Sequence, residues 1–120
     1  MKENIIKQKS FAFSVSIVKL YRFLCESKGE YVLSKQLLRS GTSVGAMVRE
    51  AEHAESKTDF KHKLSIAQKE INESIYWLEL LKESAYLTDV QFDDVAREAT
   101  EVLKLLTSII KTTKNNMNNG

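Results

Sequence analysis

Two histidines stand at spacings that can hold a metal. Glu50-x-x-His53 and Asp59-x-x-His62 both place a carboxylate three residues before an imidazole, the step by which di-iron helical bundles present ligands. Such ligands must project into the bundle interior. At about 100° per helical residue, His53 points opposite Leu33, Val44 and Ala51, and His62 opposite Phe60 and Ala67. Both therefore read as solvated surface groups, and no metal site is expected. Glu70 and Glu73 are helix neighbours that could share acid–base work, but no nucleophile or metal accompanies them. Salt bridges at a helix–helix or subunit contact suit them better. Cys25 has no activating partner in the sequence and reads as buried packing. The stretch RSGTSVGA, Arg39 to Ala46, has the glycines of a phosphate-cradling loop, yet no Lys-Ser/Thr pair follows and no hydrophobic strand precedes. No catalytic residue and no cofactor is predicted, and the chain reads as a non-enzyme.

What remains is a line of cations. Lys35, Arg39, Thr42, Arg49 and His53 fall within a narrow outward arc of one helix, and Lys57, Lys61 and Lys63 follow soon after. Phosphate backbones favour such a stripe, although Glu50, Glu52 and Glu55 dilute its field. The 18 basic and 16 acidic residues leave a net charge of only +2, so the reading rests on placement and not on the sum. Lys35, Arg39, Arg49 and Lys61 are the predicted contacts to RNA or DNA phosphate, with both arginines capable of bidentate bonds.

The elements that position these groups follow from composition and phase. The 120 residues suffice for one domain, and with 42% hydrophobic residues, no proline and 4 glycines they favour long helices. A first helix is expected from about Ser10 to Lys28, ending at Gly29. A second should run from Glu30 or Tyr31 to about Glu55. Ser56 with Asp59 opens a third that reaches about Ser84, and Thr88 with Gln91 opens a fourth that fades near Thr113. Leu33, Leu37, Val44, Val48 and Ala51 keep one face through RSGTSVGA, so that stretch reads as the middle of one uninterrupted helix. Gly41 and Gly45 then cost about 1 kcal/mol each against alanine, which close approach of another helix would offset. Helix three shows a core stripe of Phe60, Leu64, Ala67, Ile71, Ile75 and Leu78. Helix four shows Phe92, Val95, Ala96, Ala99, Leu103, Leu106 and Ile110. The predicted fold is all-α, an antiparallel up-down four-helix bundle over residues 1–113, with 114–120 a disordered polar tail.

The chain carries more apolar surface than one such bundle needs. Phe13, Ile17, Val18, Leu20, Tyr21, Leu24 and Cys25 spread over half of helix one. Helix three adds Ile66, Trp77, Leu80 and Leu81 away from its core face, and helix four adds Leu105 and Ile109. Surplus of this kind points to a homo-oligomer. The lone cysteine fits a reducing compartment, and neither a signal peptide nor a membrane span is evident, so the expected location is the cytoplasm, away from membranes.

From Leu37 through Leu81 the chain reads LLRSGTSVGAMVREAEHAES, DFKHKLSIAQKE and ESIYWLELL in turn. The segment Ser40 to Ala46, Glu50-Ala51, Ser56 with Asp59-Phe60, Ile66-Ala67, Lys69-Glu70, Glu73 and Tyr76-Trp77-Leu78 together resemble a family of short bacterial four-helix-bundle proteins. These are encoded in intervening sequences of 23S ribosomal RNA genes. Met47 stands where the family commonly has asparagine. The resemblance implies a homopentameric ring. It extends to a related branch, the accessory protein of diversity-generating retroelements, which binds nucleic acid and a reverse transcriptase through a basic surface; this chain's near-neutral charge departs from that. The resemblance designates no binding residue here. The sequence leaves open a nucleic-acid-binding oligomer, with or without a protein partner, and a purely structural or adaptor oligomer.

Overall fold

The computed structural model describes residues 2–119, and the side chains of 4–118. Its helices are α1 (Lys2–Lys28), α2 (Leu33–Glu52), α3 (Lys57–Glu83) and α4 (Asp89–Asn119). Among the described residues there is no strand. Each helix packs on the next and α4 closes back on α1, without packing across either diagonal of the described bundle. This is the antiparallel up-down arrangement that four helices with short connections favour. The bundle measures 52 × 22 × 20 Å.

Local chemistry sets the boundaries. Gly29 ends α1 at φ 62°, a conformation glycine adopts without penalty. Ser56 Oγ accepts the Asp59 amide at 3.0 Å and starts α3. Thr88 and Gln91 bond reciprocally at 3.2 and 2.9 Å ahead of α4. The start of α2 uses a device that no sequence pattern announced. The Glu30 carboxylate accepts the amides of Val32 at 3.0 Å, Leu33, and Ser34 at 3.1 Å, and Ser34 Oγ donates back to the Glu30 carbonyl at 2.8 Å. That places the first turn at Leu33, later than Glu30 or Tyr31. α2 also stops at Glu52, short of Glu55.

Two predicted ends are corrected. α1 begins by Lys2 instead of Ser10, because Ile6 and Ser10 are both buried and extend the core-facing line backward. α4 continues past Thr113 as helix through Asn119, and Gly120, the end of the expected polar tail, lies outside the described residues. Once a helix is nucleated, adding residues costs little, and neither proline nor glycine intervenes before Gly120.

The core is a column of Phe13, Ile17 and Leu24 from α1, Leu37 and Val44 from α2, Leu64, Ile71 and Leu78 from α3, and Leu106 from α4, each essentially inaccessible. RSGTSVGA lies within α2 as one continuous helix. The glycine pair does admit a close neighbour. A Cβ on Gly41 would come within 2.7 Å of Ile17 Cγ1, and one on Gly45 within 3.3 Å of Ser14 Oγ. In α4 the deepest line includes Val102 and Ile109, while Leu103 and Ile110 are half-buried. Leu81, expected on a surplus stripe, is fully buried, and Cys25 is only half-buried. Part of the apolar surplus is thus taken up by the bundle itself. Among the described residues no helix is long and apolar enough to cross a membrane.

Candidate nucleic-acid interface

The outward face of α2 carries Lys35, Arg39, Thr42, Ala46 and Arg49, each within about 40° of Lys35 at 100° per residue, and His53 follows just past the helix end. The four predicted contact residues fare differently on this face. Lys35 is exposed and forms no ion pair with any described residue. Arg39 is committed: its guanidinium bonds Glu70 at 2.9 Å and also Glu73, both on α3. Glu73 accepts the Trp77 indole proton as well, at 2.9 Å. The indole first, and the guanidinium second, hold the Glu73 carboxyl below its ordinary range, and the same ion pair raises Arg39. The pairing of Glu70 and Glu73 at a helix–helix contact is as the sequence suggests, and it ties Arg39 to α3.

Arg49 is exposed and has no carboxylate partner among the described residues. Its guanidinium lies 5.2 Å from the ring centroid of Phe11 on α1, within cation–π range. Lys61 lies elsewhere. It sits seven residues, about two turns, before Gln68, whose amide donates to Thr107 of α4. That side of α3 faces α4, whereas Lys63, bonded to Glu50 at 3.2 Å, faces α2. Two residues along a helix turn the chain about 200°, and this separates Lys61 from the stripe.

His53 is outward, its side chain 84% exposed, with Nε2 3.9 Å from Glu52. Among the described residues no group of three or more His, Cys, Asp or Glu side chains is placed to hold a metal ion.

Phe11 belongs to none of the stripes expected from the sequence. It is 55% exposed and rims a groove of about 210 Å³ between α1 and α2, whose walls include Lys7, Ser14, Thr42, Gly45 and Arg49. On the other side of Phe11 and Arg49 stand Asn4 and Gln8. Lys7 is tied to Glu52 across the same seam at 3.1 Å. The available signal was phase: Phe11 lies off the core line of Phe13, Ile17, Leu20 and Leu24.

The pattern that defines the 23S rRNA-intervening sequence proteins matches residues 2–108. The fold is also similar to the crystal structure of a protein with unknown function from the S23 ribosomal protein family of Bacteroides thetaiotaomicron. That similarity has a TM-score of 0.91 and 55% sequence identity, and covers 92% of this chain and 99% of the other. No curated protein matches the chain.

Proposed function

Because the chain belongs to the family of 23S rRNA-intervening sequence proteins, we propose that it is a non-enzymatic, self-associating helical bundle that binds nucleic acid through the α2 face and its border with α1, in the cytoplasm and with or without a protein partner. The observation that carries this is Arg49: an outward guanidinium, unneutralised by any described carboxylate and seated over an exposed aromatic ring. Lys35 stands on the same face, 14 residues or about 21 Å along α2. Self-association, as the pentamer implied by the resemblance, would multiply this face and cover apolar groups left outside, among them Tyr31, Val32, Tyr76 and Val90.

The test is fluorescence anisotropy of the purified oligomer with labelled RNA and DNA across a salt series. Binding that weakens steeply with salt supports phosphate contact. Arg49→Gln with Lys35→Gln should weaken it on all sequences and flatten the salt slope by about one for each phosphate that the variant no longer neutralises. Absence of binding at low salt overturns the reading. One observation favours a second reading, a structural or protein-adaptor oligomer: Arg39, the middle of the predicted stripe, is neutralised by Glu70 and Glu73.

A further inference from the structure

We infer that the Phe11–Arg49 pair is a stacking site for unpaired nucleobases, which makes the ligand single-stranded rather than duplex nucleic acid; this rests on the nucleic-acid reading above. Proteins that hold single strands combine aromatic or guanidinium planes, on which bases stack, with cations along the backbone. Both parts meet at this groove. Phe11 is more than half exposed and the Arg49 guanidinium lies 5.2 Å from its ring centroid, so two planar groups stand together at the surface. The pair's charge suits the ligand, because Arg49 has no described carboxylate partner, whereas Lys7 beside it is neutralised by Glu52 at 3.1 Å and adds no net charge.

The surroundings fit the same occupant. Asn4 and Gln8 flank the pair from α1 with exposed side-chain amides, which carry both donors and acceptors for base edges. On the α2 side Thr42, Gly45 and Ala46 leave little bulk beside Arg49, so a sugar–phosphate chain could lie close to the helix toward Lys35. A duplex presents phosphates and groove edges while its base faces are already stacked, and it would leave Phe11 unused.

The experiment compares binding of the purified protein to fluorescein-labelled polyuridine and to a labelled RNA duplex, for wild type, Phe11→Ala, Phe11→Tyr and Arg49→Lys. The wild type should prefer the single strand. Phe11→Ala should weaken polyuridine binding roughly tenfold without changing its salt slope, and Phe11→Tyr should restore it. Arg49→Lys keeps the charge but not the planar group, and should lose affinity with the slope retained. Equal affinity of wild type and Phe11→Ala for polyuridine overturns the stacking site. So does a Phe11→Ala protein that sediments as a smaller species with its binding intact, which would give Phe11 to a contact between copies. If the wild type binds both ligands and neither depends on Phe11, only this inference fails. If it binds neither at low salt, the nucleic-acid reading fails with it.

Discussion

The guanidinium of Arg39 on α2 is bonded to Glu73 on α3, and Glu73 in turn accepts the indole proton of Trp77 at 2.9 Å. The contact sets a pH dependence. The Glu73 carboxyl lies below its ordinary value, chiefly through the Trp77 bond and then through Arg39. A group whose folded pKa is depressed contributes stability above its unfolded pKa, about 4.3 for glutamate, and loses it as pH falls through the lower folded value. Glu73→Gln should therefore lessen acid destabilisation below about pH 4.3, by less than 1 kcal/mol because Arg39 is half-exposed and screened. Trp77 is the only tryptophan, so its fluorescence during urea unfolding at stepped pH reads the effect directly. Superimposable acid limbs for variant and wild type would remove Glu73 from the account.

Glu30 should matter more for stability than its place in a connection suggests. It is only 6% exposed, and its carboxylate collects the first amides of α2, donors that no helix satisfies internally. Glu30→Ala should destabilise the bundle by about 1–2 kcal/mol. The loss should be local as well as global, with faster amide hydrogen exchange at Val32, Leu33 and Ser34. Unchanged exchange at these three would mean that water replaces the carboxylate without penalty.

Several features of the fold were legible because they are local. Gly29, the Ser56–Asp59 pair and the Thr88–Gln91 pair each act within one turn, and the structure has all three. The phase argument through RSGTSVGA is local too, and α2 runs unbroken. Glu30 escaped because a glutamate three residues ahead of the first helical turn matches none of the short-side-chain cap patterns. In α4 two adjacent apolar lines exist, and only the position of α1 and α3 selects Val102 and Ile109 over Leu103 and Ile110. The candidate site was legible as a charge pattern alone. Separating Arg39 from Arg49 requires knowing which helix lies beside each: α3 offers Arg39 two carboxylates, whereas α1 offers Arg49 a phenyl ring.

A hydroxyl pair inside the core gives a third prediction. Ser74 Oγ lies 2.9 Å from Ser40 Oγ between α3 and α2, and neither residue is exposed. Removing one hydroxyl weakens the satisfaction of the other, while removing both takes away the need. Ser40→Ala and Ser74→Ala should each cost about 1 kcal/mol, and the double variant less than their sum. Chemical denaturation of the full cycle decides it, and strict additivity would mean that the two hydroxyls are satisfied separately by the Leu37 and Glu70 carbonyls.

The two glycines of α2 should respond differently to the same substitution. Alanine in a helix interior gains about 1 kcal/mol over glycine from propensity alone, so both changes begin with a stabilising contribution. At Gly41 the new Cβ would lie 2.7 and 2.9 Å from the two γ carbons of Ile17, which is itself fully buried and has nowhere to retreat. Overpacking of this kind costs about 1–3 kcal/mol, and more when backbone must move. Gly41→Ala should therefore be a net loss of up to about 2 kcal/mol, seen as a lower thermal midpoint. At Gly45 the nearest atoms are Ser14 Oγ at 3.3 Å and the Ser10 carbonyl at 3.4 Å, a tight but tolerable approach. Gly45→Ala should leave stability within about 0.5 kcal/mol of wild type, propensity and crowding nearly cancelling. The contrast isolates Ile17 as the cause if Gly41→Ala is repeated in an Ile17→Ala background, where the penalty should vanish. A penalty that persists there would place the strain in the α1–α2 backbone separation instead of in that side chain.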